Sequence, residues 1–317
     1  MTTEYPDYYG KFRCIAARCP KTCCAGWEIG IDEETYYFYQ TLTGKTREKL
    51  DRYLKENEDG FSFELTEKGR CPFLNDRNLC DLYAEFGERG ISITCREHPR
   101  FITECGDYRQ IDISLSCPEA ARLFFENSSL PEILFSEELF PAEELDGYEK
   151  AFRVSLLSKR NRRLSDIGEA ESLYGLIKQW FSEEGTEIEN ESIMIEDFLS
   201  LQEVREDPWK EMVIGRVKET DIRELLSRHE EWSRKLVFYF LFRYSMDEFF
   251  SSSSETPVLT ALRGTVLILL LSEELEKQEG FEKEALTLAA RKFSSEIEYS
   301  EKNIGLIGKK KPSGISE

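Results

Sequence analysis

Nine cysteines carry the first chemistry in this chain, and all of them lie between Cys14 and Cys117. Their order is Cys14-x4-Cys19-x3-Cys23-Cys24, then Cys71-x8-Cys80, then Cys95, Cys105 and Cys117. Thiols this concentrated admit three uses. Disulfides need an oxidising compartment, the count is odd, and the neighbours Cys23 and Cys24 cannot bridge without strain. A free cysteine is also a comfortable small core residue, and an inert role suits one or two of these. Metal ligation suits the set best, because thiolates are soft ligands for zinc and for iron–sulfur clusters. Paired C-x2-C knuckles are absent, and so is a C-x3-C-x2-C triplet, which places an iron–sulfur cluster slightly ahead of zinc. His98, three residues after Cys95, is either a ligand, a proton carrier or a packed ring, and His229 falls in a charged stretch expected at the surface.

The elements that must position these thiols are mixed. Asp32 is placed to cap a helix through "EETYYFYQTL", and "KTREKLDRYLKEN" has the pattern of the next one. "FSFEL" has the makings of a short strand. "RFITECGDYRQIDISLSC" alternates as a hairpin turning at Gly106 and Asp107. Pro118 suits a first helical position in "SCPEAARLFFEN", which puts Cys117 beside the positive helix end. The expected fold is therefore mainly α, with a small irregular α+β cysteine-rich N-terminal region holding a short β-hairpin, and a helical C-terminal region. The cysteine distribution divides the chain into a metal-binding region, 1–130, and a helical region, 131–317, packed against it, with a disordered tail from about residue 306.

After residue 130 the apolar residues fall in helical stripes. These are Leu145, Tyr148, Phe152 and Leu156; Leu173, Leu176, Ile177, Trp180 and Phe181, with Ser165 or Asp166 as the cap upstream; Trp232, Leu236, Tyr239 and Phe240; and Leu286, Ala289, Phe293 and Ile297. "SSSSE" at Ser251–Glu255 is expected to be a loop. Val258–Leu271 is the most apolar stretch. It contains Arg263 and is too short to span a bilayer, so a buried helix is expected.

Charge narrows the function classes. Lys plus Arg total 42 and Asp plus Glu total 62, a formal net charge of −20. Such a surface repels nucleic-acid phosphates and anionic lipid, and tolerates a basic partner. "MTTEYPDYYGKF" has neither the basic start nor the apolar run of a signal peptide, so a cytoplasmic location is expected, with no nucleic-acid or membrane partner.

"KFRCIAARCPKTCCAGWEIGID", "CPFLNDRNLCDLYAEFGERGISITCREHPRF" and "ISLSCPEAARL" resemble the flagellin lysine-N-methylase family. That family falls within a wider set of cysteine-cluster proteins regarded as zinc or iron chelators. "FYFLFRY", the apolar helix near Leu262–Leu271 and the closing "SSEIEYSEKN" extend the resemblance over nearly the whole chain. Carried over residue by residue, it takes Cys14, Cys19, Cys23, Cys24, Cys71, Cys80, Cys95 and Cys117 as the metal-associated set and leaves Cys105 as a spare. Eight thiols exceed the four that one tetrahedral metal or one [4Fe–4S] cluster needs, so some must serve as supports or bind elsewhere.

The resemblance implies methyl transfer from S-adenosylmethionine to lysine amines of flagellin, the expected protein partner. The amine must be neutral to attack the methyl sulfonium, so a site must accept its proton and align nitrogen, methyl and sulfur. Trp27, Glu28, Asp32, Tyr108, Asp112 and Glu119 lie in the motif region with side chains suited to orienting an ammonium. Each also has an ordinary structural role open to it. No G-x-G-x-G loop follows a strand, so the donor rests on the resemblance alone. The alternatives are a non-catalytic metal-binding or redox cysteine-cluster protein, and a structural metal site in a module that binds basic partners.

Overall fold

In a computed structural model, the structure describes residues 2–27, 29–57, 60–137, 142–184, 195, 199, 209–250, 256–279 and 282–309. Contacts divide the chain into two compact units interleaved in sequence. The helical unit takes Met1–Phe12, Ile102–Ser116 and Ala120–Glu317, and the cysteine unit takes Arg13–Phe101 and Cys117–Glu119. The cysteine distribution alone draws one line near residue 130, whereas strand pairing carries the first dozen residues and the hairpin's second strand to the helical unit.

The cysteine unit holds an antiparallel sheet of β2 (Ile29–Ile31), β4 (Gly60–Phe63) and β3 (Leu54–Asn57), in that order. Around it stand α2 (Glu33–Gln40), α3 (Gly44–Tyr53), α4 (Asp81–Phe86) and α5 (Ile93–Glu97). Asp32 caps α2 as expected, accepting from the Thr35 amide at 3.0 Å. The expected helix through "KTREKLDRYLKEN" stops at Tyr53. Its last four residues are β3 instead, because Leu54 pairs with Phe63 and Asn57 with Gly60 across the sheet.

In the helical unit, β1 (Thr2–Pro6) lies between β6 (Tyr108–Ile113) and β7 (Ile133–Glu137), parallel to the first and antiparallel to the second. β5 (Arg100–Cys105), which begins in the cysteine unit, neighbours β6 as the hairpin expected from the alternation, and Gly106 supplies the left-handed turn with φ +62°. α1 (Asp7–Lys11) and α6 (Pro118–Phe124) flank this sheet in sequence. The remaining helices are α7 (Gly147–Glu169), α8 (Leu173–Glu183), α9 (Trp209–Glu219), α10 (Ile222–Arg228), α11 (Glu230–Tyr244), α12 (Asp247–Phe250), α13 (Pro257–Glu279), α14 (Glu282–Ile297) and α15 (Glu301–Ile307). The chain is thus mainly helical, with a small α+β N-terminal part and a helical C-terminal region.

The core of the helical unit is α13, buried on every side from Val258 to Leu271 between α11, α14 and α9. Each fully buried leucine contributes about 1.5–3 kcal/mol relative to an exposed one. Arg263, inside this apolar run, donates to the carbonyls of Leu306, Ile307 and Lys309, the negative end of α15. No described helix is long and apolar enough to cross a membrane.

The stripes in α8 and α14 are buried as expected. Three expectations are corrected. Ser165 and Asp166 lie inside α7, and Ser172 is the cap of α8, accepting from the Gly175 amide. Tyr148 is 78% exposed, lying one turn from the buried face of α7 and stacked on Phe152. His229 is not a surface residue but half-buried between α10 and α11, held by Glu273 and Glu282. Ile307 is fully buried at the end of α15, and residues 310–317 and Ser251–Glu255, where a tail and a loop are expected, lie outside the described residues.

Two consequences are measurable. A Cβ on Gly264 of α13 would lie 2.4 Å from the ring of Phe240 on α11. Gly264→Ala, usually a gain of about 0.5–1 kcal/mol in a helix, should instead cost about 1–3 kcal/mol, read from the urea midpoint. Asp112 is fully buried, and burial pushes its carboxyl up to about 7. Below about pH 4 the folded and unfolded chains both hold that proton; between about 4 and 7 only the folded chain does, so stability falls as pH rises and the loss is complete above about 7. Asp112→Asn should therefore match wild type near pH 4 and exceed it by about 2–4 kcal/mol near pH 8.

Candidate metal centre

The thiols are brought together by short loops rather than by long elements. Cys14 precedes a one-turn 3-10 helix, Ala16–Arg18, and its sulfur accepts from the Ala16 amide at 3.4 Å. Cys19 follows that turn and donates to the Lys21 carbonyl at 3.1 Å. The Cys23–Cys24 turn is then tied to a distant loop. Cys71 N donates to Cys24 O at 2.8 Å, Gly26 N donates to Gly69 O at 2.9 Å, and Ala25 bridges Arg70 between them. Gly26 has φ +85°, a backbone that side chains rarely adopt, so the bend that returns the chain here requires glycine.

A second closure positions Cys71 and Cys80. Leu74 bridges Cys80, and Asp81 N donates to Phe73 O at 2.8 Å. The intervening turn is held by Asn75, whose side-chain oxygen accepts from the Arg77 and Leu79 amides, and by Arg70, which donates to Asn78 at 2.7 Å. Cys80 stands at the N-cap of α4. Cys95 lies in the first turn of α5, whose cap Ser92 accepts from its amide, and Asp32 holds the start of α5 by accepting from Ile93 N at 2.8 Å.

These closures put four thiols on one apolar core. Cys71 is buried among Ile29, Ile31, Tyr39, Leu50, Phe63, Phe73 and Leu82, with Cys24, Cys80 and Cys95 packed against the same cluster. Burial pushes the Cys71 thiol up to about 12 and Cys95 up to about 11, and it raises Cys80 as well. The negative charge of neighbouring sulfurs adds to each shift. Cys24 is the exception. The Cys23 thiol donates to it, Thr22 and Arg70 assist, and its thiol falls to about 7 while Cys23 rises. Cys23 also feels the charges of Cys14 and Cys95.

The thiols of Cys24, Cys71, Cys80 and Cys95 therefore match a soft metal in donor type and number. They do not form a finished coordination shell, since no group of three or more His, Cys, Asp or Glu among the described residues stands where it could hold an ion. Cys117, next to Pro118 at the start of α6, belongs to the same unit. Cys105 does not. It is buried in the helical unit with Tyr108, Leu145, Leu156 and Met246. All nine cysteines are free thiols.

The other candidates separate. Trp27 donates its indole N–H to the Cys23 carbonyl at 2.6 Å and lies beside His98, with ring centres 6.0 Å apart. Burial lowers the His98 imidazole to about 4, so the ring is neutral. Burial raises the Asp32 carboxyl, but the Ile93 and Thr35 amides outweigh it and the net shift is downward. Glu119 sits in the first turn of α6. Glu28 lies outside the described residues. Tyr108 and Asp112 fall in the helical unit. The Tyr108 hydroxyl is shared by Glu4, Gln110 and Arg160, and Asp112 accepts from Tyr8 at 2.7 Å. Sequence reasoning missed Arg70, the cation that favours the Cys24 thiolate; its place one residue before Cys71 was the available signal.

The cysteine unit also carries a groove of about 440 Å³ lined by Lys45, Thr46, Lys49, Phe73, Asp81, Leu82, Ala84 and Glu85. Its charges are mixed. Lys49 lies 3.9 Å from Asp81 and above the Phe73 ring, and Thr46 donates to Glu85 at 3.0 Å. Phe73 and Leu82 belong at once to this groove and to the core that holds the thiols.

No protein-family model matches the chain, and no solved structure matches it. Two curated proteins named lysine-N-methylase, from Salmonella typhimurium and Salmonella choleraesuis, are each 26% identical to it over 193 residues, which is 56% of this chain and 46% of theirs. The flagellar biosynthetic protein FliU of Salmonella muenchen is 27% identical over 125 residues, 38% of this chain and 74% of its own. The chain thus spans about half the length of the lysine-N-methylases it matches, and its similarity to proteins of that name agrees with the resemblance carried by its cysteine motifs.

Proposed function

We propose that this protein is a protein-lysine N-methyltransferase that uses S-adenosylmethionine to methylate flagellin, inside the cell before export, and that its cysteine unit holds an iron–sulfur cluster, with zinc as the alternative metal. The observation that supports this reading is the convergence of Cys24, Cys71, Cys80 and Cys95 on one core in a chain similar to lysine-N-methylases. These four thiols are the proposed ligands. Cys14, Cys23 and Cys19 occupy the adjoining loop, and Cys117 the start of α6, as the supporting set. A metal bound there supplies the positive charge that converging thiolates need, which burial otherwise opposes.

The chain's own residues account for two further requirements. The mixed-charge groove holds Lys45 and Lys49, which suit a carboxylate, and Asp81 and Glu85, which suit an ammonium, as the zwitterionic methionyl end of the donor requires. The acidic surface, −20 overall, favours approach of a lysine-bearing protein.

Two measurements bear on this. Protein purified without oxygen should be brown and contain iron; Cys71→Ser should lose most of the metal, and Cys105→Ala should keep it. A colourless, zinc-loaded protein would remove the iron–sulfur assignment, and equal metal in both variants would remove the ligand set. Incubation with flagellin and S-adenosylmethionine should then add single-methyl mass steps to flagellin lysines. Intact metal with no mass steps would make it a metal-binding protein without this activity.

A further inference from the structure

Four aromatic rings run outward from the core of the helical unit. Phe152 of α7 and Phe249 of α12 pack on the buried cluster of Cys105, Tyr108, Leu145, Leu156 and Met246. These two rings are stacked, with centres 6.0 Å apart. Tyr148 extends the row at one end, stacked on Phe152 with centres 6.3 Å apart. Phe250 extends it at the other, edge-on to Phe249 with centres 5.2 Å apart. The core fixes the inner rings, while the outer ones meet solvent: Tyr148 is 78% exposed and Phe250 59%. All of these residues belong to the helical unit.

A single exposed ring needs no explanation, but a continuous row founded in the core and ending in two exposed rings marks an interaction surface. Its charge says what covers it. Glu143 and Glu144 are exposed in the segment that leads into α7, and they make no hydrogen bond or ion pair among the described residues. Asp146 and Glu149 are already engaged, since their capping box satisfies the positive end of α7. The cations beside the row are accounted for. Arg153 donates to Asp107 and to the Cys105 carbonyl, and Lys150 lies about 200° around the helix from Tyr148. The uncompensated charge beside the rings is therefore negative. A second copy of this chain is the wrong occupant, because a two-fold contact would bring Glu143 and Glu144 against themselves in a chain of net charge −20.

We propose that the Tyr148–Phe152–Phe249–Phe250 row, with Glu143 and Glu144, is the docking surface for a basic, lysine-bearing segment of the protein substrate. The identity of that partner rests on the methyltransferase reading above. A lysine side chain suits the surface on two counts. Its carbon stem covers aromatic rings, and its ammonium is attracted by ring faces and by carboxylates. The carboxylates steer the encounter, and the rings, held by the core before the partner arrives, slow its departure at little cost in ordering.

The test uses the full metal-loaded chain and fluorescently labelled flagellin. Flagellin should bind, and binding should weaken as salt rises from about 0.05 to about 0.5 M. The double variant Tyr148→Ala/Phe250→Ala, altered only at exposed rings, should bind about tenfold more weakly or worse. Glu143→Lys/Glu144→Lys should bind about tenfold more weakly and lose most of the salt dependence. Tyr37→Ala, 65% exposed on α2 of the cysteine unit, should bind like wild type. In methyl-transfer assays the loss in both double variants should fall on KM. Both double variants binding within about twofold of wild type with normal KM overturn the docking surface and leave the methyltransferase reading standing. Flagellin bound by wild type and released by both double variants, with no methyl transfer in any of them, supports the surface and overturns the methyltransferase reading. Equal weakening in Tyr37→Ala overturns the surface, as does a wild type that ignores flagellin. A wild-type dimer that Tyr148→Ala/Phe250→Ala splits in sedimentation, with flagellin binding unchanged, assigns the row to a second copy and overturns the proposal.

Discussion

The cysteine unit depends on one short antiparallel contact. Residues 24–26 pair with 69–71 through the Cys71–Cys24 and Gly26–Gly69 hydrogen bonds. Without it, the Cys14–Cys24 loop and the Cys71–Cys80 loop are separate surface turns. With it, Cys24, Cys71 and Cys80 share a core with Tyr39, Phe63 and Phe73. Forming that core costs loop-closure entropy and desolvates sulfur, and the stacked aromatic and aliphatic side chains offset the cost. Burial also holds the Cys71, Cys80 and Cys95 thiols protonated, so the same packing that gathers these sulfurs opposes their ionisation. A bound cation reverses that balance, which is why a metal and this core would stabilise one another.

The helical unit handles buried polarity in two ways. Arg263 and Arg160 each donate to fixed acceptors: the carbonyl end of α15 for one, Glu4, Tyr108 and Gln110 for the other. In the Asp112–Arg243–Glu298 cluster two carboxyl groups lie near one guanidinium, and Asp112 Oδ2 accepts no hydrogen bond. Satisfied networks fix a fold. An acceptor left without a donor holds free energy that a proton can release.

Much of the fold was legible because local chemistry and tertiary structure agree there. Asp32 before "EETYYFYQTL", Pro118 after Cys117, the alternation around Gly106 and the stripes of α8 and α14 all express periods and caps that packing reinforces. Where they disagree, partners far away in sequence decided. "LKEN" is a strand because β4 is beside it, and Thr2–Pro6 and Ile133–Glu137 are strands because each completes the other's hydrogen bonds. Ser165 and Asp166 have the right chemistry for a cap, yet α7 runs straight through them and Ser172 takes the role.

Residue types, their order and their charge already determined that this chain is a mostly helical, acidic protein with all of its cysteines before residue 118. Those properties follow from composition and short-range periodicity, which need no partner. Tertiary structure alone decided which thiols meet, that Arg70 favours the Cys24 thiolate, and that Asp112 and Glu298, 186 positions apart by their numbering, face one arginine. Burial and electrostatic balance depend on what lies within a few ångströms in space, and one chain read in order does not contain that distance.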